Sequence, residues 1–483
     1  MLNCKSQKQD IAFLLIIVFT AYILSIHPAN EQDSLRNENS RSQYLITKAF
    51  AESGTFRIDP YINDSIPWDS DVAYYDGHYY STKPPGVSFL AIPFYMGGKV
   101  VNENFLHFSG SEKEILLSGC VLIVSPLIVA VGIVALYGIC FELGATRRIA
   151  RLISIVCAFG TPLWVYAPTF FRHAPTAAFL LIGFYWGMRA SRTGQKKDFI
   201  LCGISLGYLV LSEYGTLLLA IPAIIYFSSS RFREFSSQKL TLRSILIFVG
   251  LLPPVLMLLI YNWMNFGSPA RFSYSYSVYD TQKFGAGPEE LLLQRTIIEH
   301  FQHALFMTFF PAQNWEDRAV FLLTPVLVFS LFEILRSIRM REYLARDNLF
   351  FLVCFLLMLA LYSRWEEWWG GSDNFGSRQL LMVLPLLLLP LVSYLQKPKR
   401  PLEWLLFCAS IAFGVFTAFL GAVAPWGSRT RQSQIFQGKF YLRIWFFPWF
   451  APIIIILLVG IAFYWVLSLW KVNLIQEKSS LGG

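Results

Sequence analysis

The chain has 483 residues, 55% of them hydrophobic and only 15% charged, a balance that excludes an ordinary soluble domain and points to an integral membrane protein. Its formal net charge is +9, but the basic residues gather in short stretches between apolar runs, which argues against a nucleic-acid partner. Runs able to form apolar helices of about 20 residues recur along the chain, and the alternating segments of a barrel are absent.

The first run, Ile11 to Ile26, follows Lys5 and Lys8 and lacks a small-residue cleavage site, so it reads as an uncleaved first helix with a cytoplasmic N-terminus. Spans are predicted at about 11–29, 115–141, 150–167, 175–190, 198–212, 214–229, 244–264, 318–335, 348–363, 377–395, 403–424 and 447–470. The expected fold is an all-α polytopic membrane protein of about 12 transmembrane helices, in a single domain over 1–483. In this arrangement TRRIAR, RASRTGQKK, RFREF, RSIRMRE and QKPKR all fall on the cytoplasmic side. The stretch 84–101 is apolar but interrupted by prolines and glycines; if it crossed, the count would be 13 and the loops would invert, so it is expected to lie along the membrane. Six of the seven cysteines lie in apolar runs and Cys4 in the N-terminal tail, so neither a disulfide framework nor a zinc site is expected.

The unusual chemistry is outside. The first outer loop, 30–113, is rich in acids, and NENSRSQYLITKAFAESGTF within it places Tyr44, Leu45, Ala49 and Phe50 at the spacing of a short amphipathic helix on the membrane. Glu38 and Arg41 share a face of its first turn, offering a carboxylate to take a proton and a guanidinium suited to phosphate oxygens. Further on, YYDGHYYSTKPPG brings Lys83 to a sharp transition from loop to helix, a second cation at that depth, although a lysine at a helix end also snorkels. Asp76 and His78 supply two ligands for a divalent metal, a pair without a third.

Arg172 and His173 precede a membrane-bound helix, where a simple interfacial histidine and an anion site at the helix N-terminus both account for them, and Glu213 stands in the connection between two short spans, where pairing with a cation is its simplest explanation. Tyr274 and Tyr276 lie in an outer loop, where an aromatic belt and stacking on a sugar ring both account for them. In YSRWEEWWGGSDNFGSRQLLMVLPLLLLP, Arg378 begins a span from the outer side, a depth at which a charge needs a partner or a function such as holding a lipid-linked phosphate.

Taken together, the acidic first loop, the Glu38/Arg41 pattern, YYSTKPPG and the late WWGG with FGSR resemble the GT-C membrane glycosyltransferases. The likeness is to the branch related to protein O-mannosyltransferases and lipid A aminoarabinose transferases. The resemblance implies an inverting transfer of a sugar from a polyprenyl-phosphate donor to a glycan, lipid or protein hydroxyl. It also implies a plasma-membrane enzyme of a prokaryote with its active site facing outside. Matching the family pattern residue by residue gives Glu38 as the base, with Asp71 as its rival because relatives carry Asp where this chain has Glu38. Arg41, Lys83, Arg378, Arg172 and His173 are then expected at the donor phosphate, and Tyr79, Tyr80, Tyr274 and Tyr276 at the sugar or acceptor. No cofactor is required, with a divalent metal at Asp76 and His78 as the alternative; the expected partners are the lipid donor, membrane lipids and the acceptor. A transporter or flippase would scatter its charges deep within paired halves, and an oligosaccharide polymerase or ligase would carry its richest loop later in the chain.

Overall fold

The computed structural model describes residues 4–26, 35, 38–62, 71–229, 237–278, 296–310, 319–365, 375–423 and 453–467. It is a helical bundle. Five of its helices are long and apolar enough to cross a membrane: Ser6–Leu24, Gly110–Glu142, Leu240–Phe266, Ala345–Tyr362 and Pro401–Ala422. Shorter apolar helices run over Tyr214–Ser228, Leu384–Leu395 and Ile453–Leu467. The chain is thus an integral membrane protein.

Helix α1 (Cys4–Leu24) is followed by α2 (Glu38–Ser53), strands β1 (Val72–Tyr75) and β2 (His78–Ser81), and α3 (Gly86–Val101). The expected span at 115–141 is two collinear helices, α4 (Gly110–Leu122) and α5 (Val124–Glu142). Next come α6 (Arg147–Phe159), the single turn α7 (Leu163–Tyr166), α8 (His173–Thr193), α9 (Lys196–Ser212), α10 (Leu217–Ser228) and α11 (Ser237–Phe266). The rest comprises α12 (Ile297–Thr308), α13 (Val320–Leu323), α14 (Leu327–Arg339), α15 (Ala345–Tyr362), α16 (Leu391–Leu395), α17 (Pro401–Val423) and α18 (Ile453–Leu467).

Three predicted spans are broken in the fold, each at a residue that cannot continue an α-helix. Gly160 and Pro162 separate α6 from α7, and Pro325 separates α13 from α14. Over 377–395 the chain winds as 3-10 turns at Arg378–Met382 and Leu384–Leu388 before α16, with Pro385 and Pro390 removing the donors a continuous helix would need.

The all-helical expectation also misses the β1–β2 hairpin, registered from Val72↔Ser81 to Tyr75↔His78. Asp76 and Gly77 form its turn with φ of 50° and 79°, the two left-handed residues that match the twist of a two-residue hairpin loop. The Asp-Gly pair flanked by tyrosines carried that signal in the sequence.

α2 forms as expected, but its polar side chains are not turned to solvent. Ser40, Ser42, Gln43 and Thr47 are buried, because α2 packs between α3 and the hairpin. Thr47 Oγ1 donates to the Ser88 carbonyl at 3.1 Å, and Ser88 Oγ donates to the Gln43 carbonyl at 2.8 Å.

The main core surrounds α8, which packs against α5 and α9. α9 meets α11 at closer range still: a Cβ on Gly203 would land on the Ile247 carbonyl, and one on Gly250 on the Ile200 carbonyl. Small residues at these crossings let two backbones approach in a medium where packing rather than water drives association. The opposite side of α11 exposes Phe248, Ile260 and Trp263, the side chains of a lipid-facing surface.

Candidate functional site

The hairpin does more than fill space, since the residues flanking it, Asp71 and Lys83, are brought side by side by its register. Thr82 N–H and Thr82 Oγ1 both donate to the Asp71 carbonyl, at 3.2 and 3.1 Å, extending the ladder one step past Val72↔Ser81. Ser42 of α2 fastens this base: its Oγ donates to the Asp71 carbonyl at 2.5 Å and lies 2.6 Å from Ser81 Oγ, which accepts from Lys83 N–H at 3.1 Å.

So held, Lys83 Nζ pairs with Asp71 Oδ1 at 2.7 Å. The partners differ in access: the Lys83 side chain is 5% exposed and the Asp71 side chain 31%. Burial pushes the Lys83 ammonium below the ordinary lysine value. Asp71 pulls it back up, while the nearby Arg172 and Arg378 charges push it further down.

Arg172, the residue before α8, is the second anchor. Its Nε donates to Glu213 Oε2 at 2.5 Å, Nη1 to Asn39 Oδ1 at 3.2 Å and Nη2 to the Tyr274 hydroxyl at 2.6 Å. Glu213 is the residue just after α9 and is buried, so this ion pair ties the end of α9 to the start of α8. The pairing with a cation expected of Glu213 is thereby found. The Tyr274 ring lies 5.6 Å from Lys83 Nζ, linking the two anchors, and Ser273 Oγ donates to the Thr82 carbonyl at 2.8 Å.

His173 opens α8, and the charges of Arg172, Arg378 and Lys83 all bear on its buried ring. Its Nδ1 has no hydrogen-bond partner among the described residues. Arg378 begins its 3-10 turn with the guanidinium 5.6 Å from the Phe171 ring. Lys83, Arg172 and Arg378 gather here with Asp71 and Glu213, and Asp71 supplies this group with a partly accessible carboxylate.

The other predicted residues fall in different places. Glu38 is the first residue of α2, and both Glu38 and Arg41 are exposed, whereas their neighbours Asn39, Ser40 and Ser42 are buried. Asp76 is exposed in the hairpin turn, and His78 Nδ1 lies 3.4 Å from Asp59 Oδ2. Among the described residues no group of three His, Cys, Asp or Glu side chains is placed to hold a metal ion. Tyr79 is half-buried and pairs with the exposed Tyr74, their ring centroids 4.9 Å apart. Tyr80 packs on Phe266, and Tyr276 stacks on Phe266 at 5.5 Å; of the four predicted tyrosines only Tyr274 touches the charged group.

Sequence reasoning missed Asn39, which accepts from Arg172, and Ser42, which carries the Asp71 backbone. Their signal was the run of small polar residues following Glu38 in what otherwise reads as the apolar stripe of α2. The role of such residues shows only when α2 is seen against the hairpin.

The family described as dolichyl-phosphate-mannose-protein mannosyltransferase matches residues 118–257 of this chain, a stretch that holds Arg172, His173 and Glu213. No curated protein sequence matches. Among solved structures, ArnT from Cupriavidus metallidurans bound to undecaprenyl phosphate aligns with a TM-score of 0.50 at 13% identity, over 84% of this chain and 62% of that one. The oligosaccharyltransferase of Archaeoglobus fulgidus in its apo form aligns with a TM-score of 0.50 at 15% identity, over 86% of this chain and 56% of that one. This chain therefore spans about three-fifths of the length of the structures it matches. At such identity the likeness is one of fold, and the fold is that of the GT-C glycosyltransferases.

Proposed function

We propose that the chain is a membrane glycosyltransferase that moves a sugar from a polyprenyl-phosphate donor to a hydroxyl acceptor on the non-cytoplasmic face, with Asp71 as the base. The observation that carries this reading is the Asp71–Lys83 pair, in which a buried ammonium and a partly exposed carboxylate stand 2.7 Å apart beside two arginines. The undecaprenyl phosphate in the ArnT structure supports a donor of this class. The basic loops at the far ends of the helices support the sidedness.

The donor's phosphate sits against Lys83, Arg378 and the His173 ring, and its sugar extends toward Asp71. Arg172, with all three nitrogens engaged, holds Tyr274, Asn39 and Glu213 in place. Asp71 takes the proton of the acceptor hydroxyl as its oxygen bonds to the anomeric carbon from the face opposite the phosphate. The bond from that carbon to the phosphate oxygen breaks, its electron pair leaves with the polyprenyl phosphate, and the anomeric centre inverts. The fixed cations stabilise the charge that develops on the leaving phosphate, a contribution of about 3–4 kcal/mol for one such preorganised group. Asp71 rather than Glu38 is the base because its carboxylate lies within the charged group, whereas Glu38 is exposed at the start of α2.

The test is transfer from a polyprenyl-phosphate sugar by purified Asp71→Asn and Glu38→Gln. Loss of turnover in the first with retention in the second is expected. Full turnover in Asp71→Asn would remove the proposed base.

A further inference from the structure

Where α6, α17 and α18 meet, the three helices do not close on one another. They leave a cavity of about 800 Å³ whose wall, which includes Trp164, Trp404, Phe407, Phe419 and Phe463, carries no charged side chain. Phe416, Ile456 and Leu467 on its rim are exposed, so it opens sideways to the surrounding lipid. A hollow of this size and lining suits a flexible apolar chain. Toward the Asp71–Lys83 pair it is sealed, because α17 closes on α7 there. A Cβ on Gly421 would lie 2.7 Å from the Val165 side chain and 2.9 Å from the Phe375 ring.

The other end of the cavity lies among the basic stretches TRRIAR and QKPKR, which Gln396 ties together by donating from Nε2 to the Gly144 carbonyl at 2.8 Å. Most of their cations are occupied. Arg147 and Arg151 pair with Asp10, and Lys397 pairs with Glu333 and Glu342. Lys399 lies 3.9 Å from the Tyr394 ring and 3.9 Å from Glu403. Arg148 and Arg400 remain, and neither has an ion-pair partner among the described residues.

These two arginines stand one helical turn beyond the cavity, on the helix faces that line it. Arg148 is four residues before Leu152 on α6, and Arg400 four before Trp404, whose N–H donates to the Arg400 carbonyl at 3.0 Å. Arg148 is half-buried and Arg400 exposed, so both guanidinium groups are within reach of a head group at the membrane surface. Unpaired cations at the mouth of an apolar hollow match the two halves of one molecule, an acyl chain and a phosphate.

We propose that the cavity between α6, α17 and α18 binds an anionic phospholipid of the leaflet at this end, with an acyl chain inside and the phosphate between Arg148 and Arg400. The site is independent of the transfer reaction. It lies at the opposite end of the bundle from Asp71, and the contact at Gly421 separates it from the chain of the donor.

The experiment titrates the full chain in neutral detergent with brominated phosphatidylglycerol or brominated phosphatidylcholine. Bromine quenches tryptophan on contact, and the part of the quenching that is lost in Trp404→Phe reports this cavity. Phosphatidylglycerol should act at about 25-fold lower concentration than phosphatidylcholine, about fivefold for each arginine. Combining Arg148→Gln with Arg400→Gln should bring the two lipids together, and Ala412→Phe, which fills the cavity from α17, should abolish the Trp404 signal from both. The arginine pair lies at the surface, so its double variant tests the proposal even where Ala412→Phe fails to fold. Equal quenching by the two lipids in the wild type, or a preference that survives the double substitution, refutes the anionic site. Displacement of the brominated lipid by undecaprenyl phosphate but not by unbrominated phosphatidylglycerol would make the occupant the chain of the donor and overturn the proposal.

Discussion

Two groups of buried charge lie at opposite ends of the α5–α8 pair, and they are built on different rules. At the far end, Asp10 of α1 is buried and accepts from every direction: the Tyr137 hydroxyl at 2.6 Å, Arg147 Nη2 at 2.6 Å, Arg147 Nε at 2.5 Å, and two nitrogens of Arg151. Arg151 also donates to the Trp465 carbonyl at 3.1 Å and stacks 3.8 Å from its ring, so the network fastens α1, α6 and α18 together. At the head of α8, Arg172 and Glu213 are satisfied in the same way, but around them stand an accessible carboxylate and a histidine nitrogen without a partner among the described residues. The difference separates a clasp from the proposed binding site. A network that completes all its own hydrogen bonds has nothing to offer a ligand, while one that leaves buried groups incomplete is stabilised when a ligand arrives.

The widest separation between the two ends should appear in Asp71→Asn, which removes the proposed base with little change of shape. Turnover should drop by about 10²–10⁴-fold while thermal unfolding in detergent moves little. Asp10→Ala should do the reverse. It leaves the buried Arg151 guanidinium without its carboxylate and should cost about 3–5 kcal/mol of stability, read as a large fall in the unfolding midpoint. A catalytic defect in Asp10→Ala protein that stays folded would blur the distinction. Gly203→Ala tests the scaffold between the ends: forcing a methyl into the α9–α11 crossing should cost about 1–3 kcal/mol, with the donor affinity of the folded fraction unchanged.

The smallest and most specific effect is in pH. Since burial lowers the Lys83 value, the ammonium loses its proton as pH rises through a value below that of free lysine. Affinity for undecaprenyl phosphate should therefore fall on the alkaline side earlier than an exposed lysine would allow. Between the lowered folded value and the ordinary unfolded one, the unfolded chain binds more protons at this residue, so stability contributed by this group rises with pH across that window. Lys83→Arg keeps the charge at all accessible pH and should abolish the alkaline fall in affinity, which a titration of donor binding would reveal.

Much of the charged group could be read one residue at a time. Lys83 stood out by its place before two prolines, Arg378 by its depth in an apolar run, and Arg172, His173 and Glu213 as polar groups at helix ends. Their mutual arrangement could not be read, because Arg172 touches Asn39, Glu213 and Tyr274, residues 133, 41 and 102 positions away in the chain. The hairpin is legible in its Asp-Gly turn, since Asp76 and Gly77 take the two left-handed positions such a turn requires. The breaks within the predicted spans 318–335 and 377–395 are not legible in apolar content, which signals burial in lipid without saying how the backbone winds.

Composition and charge pattern alone determined that this is a membrane protein with its unusual chemistry gathered in the segments between apolar runs, since solvation by lipid or water acts on each segment independently. The short polar residues of α2 show what they left undecided. Asn39, Ser40, Ser42 and Gln43 are unremarkable in sequence, and whether each is solvated, structural or ligand-binding depends on what packs against it. Only the tertiary structure, by closing α2 onto the hairpin and the head of α3, turned Ser42 into the support of Asp71 and left Gln43 buried without a partner. Hydrogen bonding is a pairwise property, and no residue carries its partner's identity in its own side chain.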